Sequence, residues 1–165
     1  MREASRTGFL DAPAALPCGP KRIRMGTDRM TLTVADAERI LRDNFAPWIQ
    51  DLGIVFDAVG DGQATLRVAS SERLKRTGDI VCGQALMALA DTAMVFAVAS
   101  AAGGLVPMTT VSQNTTFLRP AGPADVSAVA RVVRLGRSVV YGEITLHCGD
   151  AARPVAHATT TYMLL

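Results

Sequence analysis

One carboxylate stands in unusual company. From Gln84 to Ala102 the only polar side chains are Gln84, Asp91, Thr92 and Ser100, in a run dominated by Ala, Leu and Met. An acidic residue among apolar neighbours is costly to bury unless it is paired or used. Asp91 is therefore the first candidate for chemistry, as a general base toward water or as a carboxylate nucleophile. Gly83 stands where the run begins. A helix starting there presents N–H groups with no partner inside the helix, at the positive end of its dipole. Such an amide can stabilise an oxygen that becomes negative during reaction, and a residue without Cβ allows close approach to it. Cys82 is the neighbouring thiol, but His147 and His157 sit on late strand-like segments and nothing in the chain places them beside it. It reads as a small residue at the site entrance rather than a nucleophile.

These groups need a helix to carry them. Residues 84–102 are apolar on nearly all faces, as a helix surrounded by other structure must be, and Gly103-Gly104 supplies its stop. A membrane span is the rival, since about 20 apolar residues suffice. Against it, Asp91 near the centre would cost roughly 2.5–3.5 kcal/mol on insertion scales, and the flanking strands need a helix to cover them. Upstream, Thr33-Val-Ala-Asp36 has the form of a weak capping box, and Val34, Ala37, Ile40, Leu41 and Phe45 recur at helical spacing until Pro47. Gly53–Val59 and Gln63–Ala69 flank Gly60-Asp61-Gly62, which predicts a β-hairpin, and Glu72, Arg73, Lys75 and Arg76 read as a charged loop. Beyond the helix, Met108–Leu118, Asp125–Leu135, Ser138–His147 and Val155–Leu164 are Val-, Thr-, Ile- and Leu-rich strands with short Gly- and Pro-containing connections, hence antiparallel neighbours. Tyr141, Glu143, Thr145 and His147 alternate with Gly142, Ile144 and Leu146, as in a sheet with one covered face. The expected fold is α+β, a long antiparallel sheet around one central apolar helix, in a single domain over residues 31–165.

The 165-residue chain is 49% hydrophobic and 19% charged, a composition for one folded core rather than for disorder. Its net charge of +2 is unevenly spread. Residues 1–30 hold six basic and three acidic residues with three prolines and three glycines, and read as an extension that need not pack. The remainder is close to neutral, so no nucleic-acid partner is expected. Cys18, Cys82 and Cys148 cannot all pair and show no metal spacing. Together with an N-terminus interrupted by Arg2, Arg6, Asp11 and Pro13, this points to the cytoplasm, without membrane, metal or cofactor. No Gly-x-Ser-x-Gly elbow, His-Glu-x-x-His, Walker loop or dinucleotide fingerprint occurs.

The segment Val81-Cys-Gly-Gln-Ala-Leu-Met-Ala-Leu-Ala-Asp91-Thr-Ala-Met resembles the central-helix signature of hotdog acyl-CoA thioesterases of the PaaI-like, phenylacetic-acid-degradation type. That signature is His-Gly-Gly, six residues, then a catalytic Asp; here it is Cys82-Gly83-Gln84, six residues, then Asp91. Val111-Ser-Gln-Asn-Thr-Thr-Phe-Leu-Arg-Pro120 is similar to the family's next strand, and Leu135-Gly-Arg-Ser138 to its following hairpin. The family's His is replaced by Cys82, and its preceding Asn or Gln by Arg76 or Thr77.

The resemblance implies hydrolysis of a small aromatic or short- to medium-chain acyl-CoA. Asp91 would serve as base or nucleophile and the Gly83 N–H as oxyanion donor. Eight residues separate the two, about 12 Å along one helix, so a single chain cannot aim both at one carbonyl. A two-fold partner must complete the site, as in the family's dimers, which often pair into tetramers. The coenzyme A thioester is substrate, not cofactor. Cys82, Gln84 and Val95 would shape the pocket, Ser112 and Asn114 would line the acyl site, and Arg119, Arg137 and Ser138 would suit the phosphates. The competing class is a non-catalytic acyl-CoA-binding or regulatory module, consistent with the missing His and Asn; a hydratase is disfavoured by the same missing His.

Overall fold

The computed structural model describes residues 31–165, so the extension expected at 1–30 lies outside the described residues. The chain opens with α1 (Val34–Asn44), where Thr33 and Asp36 close a reciprocal capping box: the Thr33 Oγ1 accepts from the Asp36 N–H at 3.1 Å, and the Thr33 N–H donates to Asp36 Oδ2 at 3.2 Å. The Thr33 hydroxyl, which donates to Asp36 Oδ2 at 2.6 Å, and then the Thr33 N–H hold the Asp36 carboxyl below its ordinary range. Pro47 ends this run by starting a separate turn, α2 (Pro47–Gln50). Strands β1 (Val55–Gly60) and β2 (Gln63–Val68) form the expected hairpin around Asp61-Gly62, both with positive φ, the requirement of a type I′ turn.

The segment expected as a charged loop is more ordered than that. A 3₁₀ turn (Glu72–Leu74) leads into β3 (Lys75–Arg76) and β4 (Ile80–Val81), a two-residue ladder turning at Gly78-Asp79. Its charges explain the order: Lys75 Nζ bridges Asp79 at 2.6 Å and Glu72 at 2.9 Å. The ladder delivers the chain to α3 (Gly83–Ala102), and the Cys82 N–H donates to the Leu74 carbonyl at 2.8 Å.

Four long strands follow: β5 (Met108–Phe117), β6 (Val126–Leu135), β7 (Val139–Cys148) and β8 (Pro154–Leu164). With β1 and β2 they make one antiparallel sheet in the order β1-β2-β6-β7-β8-β5. The sheet curls around α3, the hotdog arrangement. By length and composition α3 could cross a membrane. Instead, eleven of its twenty residues are buried here. Phe96 is sandwiched between Phe45 (ring centroids 5.4 Å apart, stacked) and Phe56 (4.6 Å, edge-on), which ties α1 and β1 to the helix. Gly142 on β7 lies so close beneath α3 that a Cβ there would overlap the Met94 thioether. At the helix C-terminus Gly103 adopts φ 81° and the Gly104 N–H donates to Ala99 O, a Schellman closure. Ser100, a polar exception on α3, accepts the Gly62 N–H at 3.1 Å and so pins the β1–β2 turn to the helix end.

Candidate active site

One flank of α3 faces the edge strand β5, and the contacts run in steps of one helical turn. Gly83 lies under Phe117, where an added Cβ would meet the ring at 3.1 Å. The Met87 carbonyl accepts from Gln113 Nε2 at 3.1 Å, and Asp91 Oδ1 accepts from Thr110 Oγ1 at 3.2 Å. Residues 83, 87 and 91 recur every four positions on one side of the helix, and Val95 continues the row. Simple alternation would not bring Thr110, Gln113 and Phe117 to one face of a strand. The register break between Thr110 and Ser112 does so: Val111 is an extra residue opposite β8, a bulge that moves Gln113, Thr115 and Phe117 onto the helix side.

Asp91 is half-buried and held by hydroxyls rather than by the backbone amides or arginine that a purely structural acid would find. Tyr162 of β8, itself only 1% exposed, donates its phenol to Asp91 Oδ1 at 2.5 Å and also lies 3.1 Å from the Asp91 carbonyl. Burial first, and then the adjacent Asp91 charge, push the Tyr162 phenol far above its ordinary range, so it remains a donor. Both hydroxyls fall on Oδ1, and Oδ2 has no partner among the described residues. At the other end of the row, Cys82 is the residue preceding α3 and its side chain makes no capping bond, so no side chain of that residue covers the first amides. An open carboxylate oxygen and uncapped amides at a helix start, set eight residues apart on one helix, are groups that acyl-transfer chemistry can use.

The family profile described as "Thioesterase superfamily" matches residues 78–155, which span β4, α3 and strands β5 to β7. A Thermoplasma volcanium protein named "Putative esterase" is 35% identical over 97 residues, covering 56% of this chain and 68% of its own. The chain belongs to the thioesterase superfamily. Among solved structures, a "putative thioesterase" from Silicibacter sp. is 29% identical with a TM-score of 0.74, covering 82% of this chain and 94% of its own. The phenylacetic acid degradation protein PaaI of Thermus thermophilus, solved as a point mutant, is 25% identical with a TM-score of 0.65, covering 73% and 100%. The hotdog sheet is thus that of PaaI-like thioesterases, and the reaction class is thioester hydrolysis.

The remaining candidate residues of this thioesterase are dispersed. Cys82 and Val95 are half-buried, and Gln84 is exposed on the first turn of α3. Ser112 and Asn114 pair with Thr161 and Thr159, on the sheet face turned away from α3 and so away from the Asp91 side chain of the same chain. Arg119 follows β5 at the Gly83 end, where its Nη1 donates to the Pro154 carbonyl at 2.8 Å. Arg137 and Ser138 form the exposed β6–β7 turn at the opposite end, where the Ser138 carbonyl accepts the Leu164 N–H. Two surface clefts, of about 210 Å³ beside Trp48 and Arg73 and about 290 Å³ beside Gly62 and Val132, include neither Asp91 nor Gly83. Thr110 and Tyr162 were not anticipated. Nothing in the sequence marks them except that each is a hydroxyl on a strand that must cover the helix.

Proposed function

We propose that this thioesterase hydrolyses a small aromatic or short- to medium-chain acyl-CoA in the cytoplasm, at a site completed by a second copy of the chain. The observation that carries the reading is the combination of an Asp91 oxygen without a partner among the described residues and uncapped α3 amides on the same row, too far apart to serve one carbonyl from one chain. Two-fold pairing of this flank sets Asp91 of one protomer opposite Gly83 of the partner subunit. It also brings Arg119 from the Gly83 end of one chain toward Arg137 and Ser138 of the other, which suits the phosphates of one coenzyme A. Half-exposed Met87, Val111, Phe117 and Leu118 along this flank supply apolar surface for such a contact, and two dimers stacking into a tetramer is compatible with it.

In the general-base form, Asp91 takes a proton from water as its oxygen attacks the thioester carbon. The partner's Gly83 N–H receives the oxyanion, and collapse breaks the C–S bond to release the acid and the coenzyme A thiol. In the nucleophilic form, Asp91 attacks first, coenzyme A leaves, and water then hydrolyses the mixed anhydride. Measuring thiol release from a panel of acyl-CoAs tests the whole. Asp91→Asn keeps an oxygen for Thr110 and Tyr162 and should lose about 10²–10⁴-fold in rate. Wild type that binds acyl-CoA without releasing thiol would instead be a non-catalytic module, and an Asn variant as fast as wild type would remove Asp91 from the chemistry.

A further inference from the structure

Resting on the catalytic reading of Asp91, we infer that Tyr162 is a positioning residue for the reaction: with Thr110 it pins Oδ1 of Asp91 from the sheet, so that Oδ2 is the oxygen that meets water or thioester. At 2.5 Å the phenol bond lies in the range of O–H···O⁻ pairs to a charged acceptor, while Thr110 adds a second donor to the same atom at 3.2 Å. Two donors converging on one oxygen from neighbouring strands stop the carboxylate from rotating. The donors themselves are fixed, because Tyr162 is paired with Thr110 on one side, at the edge of the Val111 bulge, and with Val140 on the other in an unbroken stretch of ladder. A tyrosine kept only for packing would have its hydroxyl satisfied by the Asp91 main-chain carbonyl at 3.1 Å; the shorter bond goes to the side chain. No other charged residue lies on α3, and among the described residues no Lys, Arg or His comes within 4.0 Å of the Asp91 carboxylate. Tyr162 and Thr110 are therefore the groups through which the fold governs this acid.

The test is a pH–rate profile of the full-length protein on an acyl-CoA it hydrolyses, for wild type and Tyr162→Phe. Losing a donor to a charged acceptor should lower kcat by roughly 10- to 100-fold with KM little changed. It should also move the acid limb of kcat/KM up by about one pH unit, since the missing bond favoured the charged form. Because the chain has two tyrosines, 3-fluorotyrosine incorporated in a Tyr141→Phe background labels Tyr162 alone. That more acidic phenol keeps the packing and should move the acid limb the other way. An acid limb unmoved in both proteins overturns the inference, as does a Tyr162→Phe loss that appears in KM alone. Failure of the catalytic reading is separable: it shows as an active Asp91→Asn, whatever Tyr162→Phe does.

Discussion

Replacing Gly83 by alanine separates the packing demand on that residue from its proposed part in chemistry. The added Cβ meets Phe117 Cζ at 3.1 Å and Cε1 at 3.4 Å, so the ring must retreat by a few tenths of an ångström. Phe117 is 50% exposed at the last residue of an edge strand, and a ring so placed can give way. Alanine also removes backbone freedom that glycine has when unfolded, worth up to about 1 kcal/mol within a helix and less at its first residue. The opposing effects leave stability within about 1 kcal/mol of wild type, or about 4 °C in Tm. Activity should respond far more. The N–H survives, but a methyl group now stands where a thioester oxygen must come within hydrogen-bonding distance, and losing an oxyanion donor costs about 10²–10³ in rate. Thermal melts and thiol release, measured on Gly83→Ala alone and combined with Phe117→Leu, resolve the cause. A loss of rate that persists when the smaller residue relieves the ring places the effect at the substrate. Wild-type kcat/KM in Gly83→Ala, or full recovery in the double variant, refutes the assignment of the Gly83 amide.

Gly142→Ala should be much more harmful to the fold, because its Cβ would overlap Met94 and lie 2.9 Å from the Arg131 carbonyl. Overpacking of this kind costs about 1–3 kcal/mol or more, and in denaturant titration Met94→Val should recover only the side-chain part of the loss. Tyr162 predicts an alkaline effect. Its folded pKa lies above the unfolded value of 10.0, so the stability it contributes is fully present below that pH and is lost as pH rises toward the folded value. Tyr162→Phe should abolish this part of the decline, as followed by thermal melts above about pH 10.

The apolar run, the Asp61-Gly62 turn and the Gly103-Gly104 stop were readable because each is local: one side chain's chemistry or one missing Cβ decides it. The β3–β4 ladder was not, because two-residue strands owe their order to the placement of Lys75 between Glu72 and Asp79 rather than to any period. Asp91 and Gly83 stood out by type and spacing. Their setting did not: Thr110 and Tyr162 are 19 and 71 residues from Asp91 in sequence. They meet it only because Val111 is accommodated as an extra residue and the sheet curls over the helix. The same bulge sends Ser112 and Asn114 to the outer face, a choice that alternation of residue types cannot reveal.

The two borders of the sheet are unequal. β1 is short, interrupted by an irregularity between Phe56 and Ala58, and carries Asp57, whose charge discourages another strand from aligning there. β5 has its own bulge at Val111 but offers ten residues, Met-Thr-Thr-Val-Ser-Gln-Asn-Thr-Thr-Phe, with neither charge nor proline to repel a newcomer. Left bare, that border would make the protein adhesive toward any extended peptide. Under the proposed two-fold pairing, substitutions that keep copies apart should therefore first show themselves as lost solubility, and a lysine grafted at outward-facing Asn114 is a simple way to suppress it.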